Sequence, residues 1–130
     1  MKDKKYLLDT SFLIDYEREI EGDVVGPARR LFSKISKSGV WISVVTVAEL
    51  LEGAADQEEA MKRLAAFKVA KIGAKEAERC ALNQRRTKSR MGENDAWQAA
   101  IAFRGNYCLV GKDKGFENRP WLDYLNYKTA

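Results

Sequence analysis

The sequence contains no histidine. Ser-His-Asp and Cys-His nucleophilic arrangements are therefore absent, and so is the usual imidazole acid or base. The commonest nitrogen ligand of zinc, copper and iron is missing too. The two cysteines, Cys80 and Cys108, are far apart and form no C-x-x-C pair, which argues against a zinc site and suits a reducing compartment. They read as small buried hydrophobes, with a disulfide between them as the alternative. What remains for chemistry is oxygen. Asp9, Glu49, Asp95 and Asp113 each stand close to an apolar run, and a metal held by carboxylates alone points to magnesium or manganese.

The elements that must position these acids can be read in order. Lys5 to Asp9 is a short strand, and Thr10 or Ser11 caps a helix that runs through Tyr16 to about Glu19. Pro27 suits the first turn of a helix from Ala28 to Lys37, with Leu31, Phe32 and Ile35 on one face and Ser38-Gly39 as its stop. Val40 to Val44 is β-branched and aromatic, hence a buried strand. Thr46-Val47-Ala48-Glu49 fits a capping box that opens a helix ending at Gly53. A further helix from Gln57 to Phe67 turns Met61, Leu64 and Ala65 inward, and Val69 to Ile72 forms a short strand. Lys75 to about Arg90 is helical with a stripe of Ala77, Cys80, Ala81 and Gln84. The next helix, Glu93 to Phe103, packs through Ala96, Ala99, Ala100 and Phe103. Strands at Tyr107–Val110 and Tyr124–Asn126 complete the chain.

Strands separated by helices imply βαβ crossovers. The fold class expected is α/β, a three-layer α/β/α sandwich around a mainly parallel sheet, formed by residues 1–130 as one domain. A chain of 130 residues buries a core without staples. No apolar run is long enough to span a membrane, and the charged start Met1-Lys2-Asp3-Lys4-Lys5 leads straight into the first strand, so neither a membrane anchor nor a secretory leader is expected. A cytoplasmic protein is the natural reading.

In such a sandwich the carboxyl ends of strands and the amino ends of helices share one edge, where ligands bind. Asp9 and Asp113 follow strands, and Glu49 and Asp95 sit in first helical turns, so all four are expected at that edge. Each also has a structural alternative: Asp9 as a simple cap, Glu49 as the reciprocal member of its capping box, Asp95 as a complement to a helix dipole, and Asp113 as a loop acid between lysines. Together, four clustered carboxylates repel unless a cation lies between them. An acidic site with magnesium or manganese suits in-line displacement at a phosphate ester. The net charge of +4 is compatible with a nucleic-acid partner. The cluster Arg85, Arg86, Lys88 and Arg90, with Lys112, supplies candidate RNA contacts, a solvated helix face or loop being the alternative. Ser11, where a haloacid-dehalogenase-type phosphatase needs a second Asp, and the lack of G-x-x-x-x-G-K-[ST] argue against other acid-pocket enzymes.

The segments Leu8-Asp9-Thr10-Ser11, Val47-Ala48-Glu49-Leu50, Asn94-Asp95-Ala96-Trp97-Gln98-Ala99-Ala100-Ile101-Ala102 and Val110-Gly111-Lys112-Asp113-Lys114-Gly115-Phe116 resemble the PIN-domain proteins, and more narrowly the VapC toxins of prokaryotic toxin–antitoxin pairs. The likeness covers essentially the whole chain in order. It implies a magnesium- or manganese-dependent ribonuclease whose acidic site is Asp9, Glu49, Asp95 and Asp113, with Asp9 and Asp95 the foremost metal ligands and Ser11 in support. It further implies products with a 5′-phosphate and a 3′-hydroxyl, a homodimer, and silencing by a small VapB-like antitoxin. The sequence departs from the family at Gly111, where Thr or Ser is common, and at Gly115, where an acid often precedes the Phe; hydroxyl support for Asp113 is thus missing. The competing readings are a PIN nuclease of RNA processing or turnover without a toxin role, and a non-catalytic PIN-fold binding module.

Overall fold

The centre of the sheet is β1, Lys5–Leu8, whose Leu7 and Leu8 are both fully buried, one on each face. The computed structural model of the chain describes residues 4–36 and 39–130. Around β1 lie β2 (Gly39–Ser43), β3 (Lys68–Ala70), β4 (Cys108–Gly111) and β5 (Tyr124–Asn126), in the order β3-β2-β1-β4-β5 with every pairing parallel. The helices are α1 (Thr10–Glu21), α2 (Pro27–Ile35), α3 (Val44–Gly53), α4 (Gln57–Leu64), α5 (Ala74–Arg86) and α6 (Glu93–Gly105), with a 3-10 turn at Lys114–Phe116.

Alternation along the strands divides the core into two layers. Leu7 and Leu109 face a cluster with Ala96, Ala99 and Ile101 of α6 and with Phe116 and Leu122. Leu8, Ile42 and Val110 face Phe12 and Leu13 of α1, Leu31 and Ile35 of α2, and Tyr127. Burial of each leucine, isoleucine, valine or phenylalanine among them contributes about 1.5–3 kcal/mol. The alanines of α6 let it lie close to α5 and the sheet. The three-layer α/β/α arrangement is therefore as the sequence implied.

Several local expectations are corrected. The first helix starts at Thr10 with Asp9 in the cap position, and the Asp9 side chain makes no capping bond. Residue Val44 belongs to α3 rather than to a strand, and the cap of α3 is Ser43, whose hydroxyl accepts from Thr46 N at 3.2 Å. No Thr46–Glu49 capping box forms. In α4 the inward residue is Ala60 while Met61 is 59% exposed, because the helix is rotated by one position from the expected phase. Phe103 is likewise on the outer side of α6, edge-on to Trp121. The fifth helix stops at Arg86, four residues short of Arg90. Lys37 and Ser38, the expected end of the second helix, and Met1, Lys2 and Asp3 lie outside the described residues. Cys80 and Cys108 are both free. No helix among the described residues is long and apolar enough to cross a membrane.

Candidate active site

In the order β3-β2-β1-β4-β5 the chain turns back on itself between β1 and β4, and a crevice opens beyond the carboxyl ends of those two strands. Asp9 is the first residue past β1, and its backbone N–H donates to Val110 O of β4 at 2.8 Å. That bond fixes the acid at the mouth of the crevice. Asp113 follows β4 and caps the 3-10 turn, its Oδ1 accepting from Gly115 N at 2.7 Å. Asp95 lies in the first turn of α6. Glu49 lies one turn further into α3 than the sequence suggested, and points to the same region.

The side chain of Asp9 is 7% exposed and held on both oxygens. Ser11 Oγ donates to Oδ2 at 3.0 Å, and Gln98 Nε2 donates to Oδ1 at 3.1 Å. Gln98 Nε2 also donates to Thr46 Oγ1 at 2.7 Å, and Thr10 Oγ1 donates to Glu49 Oε1 at 2.7 Å. The Thr10 and Thr46 hydroxyls are 3.1 Å apart. Since the one Thr10 proton serves Glu49, that contact is completed by the proton on Thr46. A continuous polar chain thus joins Asp9 to Glu49 through Gln98, Thr46 and Thr10. Asn94 Nδ2 closes on the other Glu49 oxygen at 3.3 Å.

The four acids lie near enough to act on one another's charge. Burial pushes the Asp95 carboxyl up to about 6, and the charges of Asp9, Asp113 and Glu49 push in the same direction, with the Asp113 carboxyl within hydrogen-bonding reach. Asp9 is also raised, first by burial and then by Glu49, against the hydrogen bonds of Ser11, the Thr10 backbone and Gln98. The negative charge here is under-compensated. Among the described residues no three carboxylates form a ready-made metal-holding group. Both oxygens of Asp9 and of Glu49, and one of Asp113, instead accept from Ser11, Gln98, Thr10, Asn94 and the Gly115 amide. The Asp9 and Asp95 carboxylates are the hard oxygen ligands that would suit magnesium, which takes one or two protein carboxylates and keeps several waters.

At Gly111 the Tyr124 hydroxyl lies beside the space a side chain would take. A Cβ there would lie 3.3 Å from Asp9 Cβ and Oδ2 and 3.5 Å from the Tyr124 hydroxyl. The Tyr124 hydroxyl passes over this gap and donates to the Asp113 carbonyl at 2.8 Å. Burial first, and then the surrounding carboxylates, raise the Tyr124 phenol, keeping it a donor.

Of the candidate RNA contacts, Lys112 is engaged elsewhere, its Nζ 3.0 Å from Asp15 Oδ2. The basic cluster divides in two: Arg85 and Arg90 line one cleft with Trp97, while Arg86 and Lys88 line another with Arg119. Gln98 and Tyr124 have no site role in the sequence reading, and Thr10 and Thr46 enter it only as helix caps. For Gln98 a signal existed, an amide interrupting an otherwise alanine-rich buried helix.

The chain belongs to the PIN-domain family, whose PIN domain it matches over residues 6–122. Its fold is shared with solved structures at low identity. A chain of a toxin-antitoxin complex from Klebsiella pneumoniae superposes with a TM-score of 0.75 at 20% identity, covering 95% of this chain and 98% of that one. A chain of DNA-bound VapBC from Salmonella typhimurium gives 0.74 at 19% identity, covering 95% and 98%. A chain of FitAcB from Neisseria gonorrhoeae gives 0.76 at 17% identity, covering 94% and 97%. No curated protein matches the sequence significantly.

Proposed function

We propose that this chain is a divalent-metal-dependent endoribonuclease, the toxin of a VapBC-type pair. The observation that carries the reading is the convergence of Asp9, Glu49, Asp95 and Asp113 on the crevice between β1 and β4. Asp9 and Asp95 would hold magnesium or manganese directly, with Glu49 and Asp113 beside them. When bound, the metal supplies an activated water and charge stabilisation for displacement at phosphorus.

The chain's own residues do the rest. Ser11 and Gln98 hold the Asp9 carboxylate in one orientation, which removes the reorganisation an unrestrained acid would need on loading. Thr10 and Asn94 do the same for Glu49. Until a cation is bound the acids would leave the crevice negative, which disfavours the approach of a phosphate. Cleavage would leave a 5′-phosphate and a 3′-hydroxyl. A VapB-like antitoxin as inhibitor, a homodimer and a cytoplasmic setting complete the reading, supported by family membership and by the toxin–antitoxin structures that share the fold.

The test is RNA cleavage with manganese, magnesium or chelator, comparing the wild type with Asp9→Asn and Asp95→Asn. Cleavage that needs the metal and is lost in both variants is expected. Metal-independent cleavage, or full activity in both variants, overturns the assignment. Release of an antitoxin encoded beside the gene, with recovery of activity, separates a toxin from a PIN nuclease of RNA processing.

A further inference from the structure

Beyond the carboxylate crevice, a second cavity of about 380 Å³ lies between the last turns of α5 and the segment that follows the 3-10 turn. Arg79, Asn83, Arg86, Lys88, Arg119 and Trp121 line it, and no carboxylate does. Two of these side chains carry buried donors with no acceptor: Arg79 Nε and Asn83 Nδ2. Asn83 is only 8% exposed. A buried N–H without a partner costs about 1–3 kcal/mol, and two of them in one cation-lined cavity call for an acceptor ligand.

The walls are fixed before anything binds. The Arg119 guanidinium donates to Gly115 O at 2.8 Å, to Thr87 Oγ1 at 3.0 Å and to Ser89 O at 2.9 Å. It thereby ties the end of α5 to the turn whose Gly115 amide holds Asp113. One N–H on each of its terminal nitrogens stays free for a ligand. Arg79 is seated with its guanidinium 4.7 Å from the Phe103 ring centre, which orients it without neutralising it.

We infer that this cavity is a phosphate subsite that takes the backbone of the RNA whose cleavage the carboxylate crevice performs. The inference rests on the nuclease reading for the identity of the polymer, and on the orphaned donors and cationic lining for the phosphate. The Arg119–Gly115–Asp113 connection ties the cavity wall to one of the four acids, so a strand held here is positioned relative to them.

The test measures binding of fluorescein-labelled single-stranded RNA to the full chain in chelator, where nothing is cleaved, and compares competition by inorganic phosphate. Arg86→Glu and the shape-conserving Asn83→Asp are each expected to weaken RNA binding about 10-fold, the effect of one lost charge-assisted contact. Arg86→Glu, which removes a cation, should also flatten the dependence of log K on log salt by about 0.7. Lys62→Glu, the same charge reversal on α4, should change affinity less than about 2-fold by screening alone. Equal loss in Lys62→Glu, or unchanged RNA binding in Arg86→Glu, overturns the subsite. If the two variants lose phosphate competition while RNA affinity stands, the cavity takes a free anion and its assignment to RNA is wrong. Metal-loaded cleavage separates the two readings. A wild type that binds through this cavity but cleaves nothing sinks the nuclease reading alone, and cleavage with an unchanged KM in Arg86→Glu sinks the subsite alone.

Discussion

Gln98 Nε2 donates to Asp9 Oδ1 at 3.1 Å and to Thr46 Oγ1 at 2.7 Å, although Gln98 and Asp9 stand 89 positions apart in the chain. One amide therefore fixes the orientation of the acid nearest the sheet and links it to the hydroxyls that serve Glu49. The other amide atom, Gln98 Oε1, is buried without a partner, so the residue serves the site through its N–H groups alone.

Replacing Gln98 with Leu keeps the volume and removes both donors. Loss of a group that orients a metal-binding carboxylate typically costs 10–100-fold, and a fall of that size in RNA cleavage is expected. The same change leaves Asp9 Oδ1 and Thr46 Oγ1 short of a donor, destabilising the fold by about 1–3 kcal/mol. Cleavage rates and urea denaturation of the same preparations check both.

Gly111→Ser restores the hydroxyl common in the family but is expected to harm this chain. Its Cβ would stand 3.3 Å from Asp9 Cβ and Oδ2, in a strand end that is fully buried. Overpacking of that kind costs about 1–3 kcal/mol. A lowered thermal midpoint together with weaker cleavage is the expected outcome. A gain in both would show that Tyr124 does not fill the place of that hydroxyl.

Asp95 makes stability depend on pH in an unusual direction. Its carboxyl titrates near 6 in the fold, against 3.8 when free, so between those values the folded chain binds more protons than the unfolded one. Stability of the metal-free protein falls as pH rises through that window. The penalty is complete above the folded value and absent below 3.8. With the discount that solvent screening requires, Asp95→Asn should stabilise the metal-free protein by about 1 kcal/mol at neutral pH. It should do nothing near pH 3.5, as read by denaturant midpoints across the range. Manganese should raise the thermal midpoint of the wild type at neutral pH and lose that effect in Asp95→Asn.

Asp15 behaves in the opposite sense. Burial acts to raise it, but hydrogen bonds from Tyr127 and Lys112 and the charges of Lys112 and Lys128 outweigh burial and hold it below 3.8. Its contribution is present above 3.8 and fades as pH falls through the lowered value. The Tyr127 ring packs edge-on to Phe12 at 5.0 Å in the core. Asp15→Asn should therefore lose about 1–3 kcal/mol at neutral pH. Most of that difference should vanish in acid, which guanidine titrations at both pH values would show.

Much of the site could be read from local signals, since Asp9 follows an apolar run and two hydroxyls, and Asp113 follows β4. The strand Tyr124–Asn126 was legible in the same way. At Thr46 two local patterns overlap, so the sequence offers it as a cap that the structure places at Ser43. Ser43 and Thr46 satisfy one cap spacing, and Thr46 and Glu49 another. The choice between them was made by burial: Thr46 is fully enclosed and bonded to Gln98 and Thr10, and is not free to cap. The basic cluster was read as one patch. Adjacent positions on a helix do not face each other, and with α5 ending at Arg86 its members part into two clefts.

What the sequence by itself determined is the chemistry available: no imidazole, separated thiols, and acids placed at the ends of strands and the starts of helices. These are properties of residue type and short-range spacing. Only the tertiary structure decided that Gln98 serves Asp9, that Tyr124 reaches across Gly111, and that Arg79 and Asn83 share a cavity with Arg119. Each of those contacts joins segments far apart in the chain. Neither propensity nor periodicity carries such information, because it arises when two layers of helices close on one sheet.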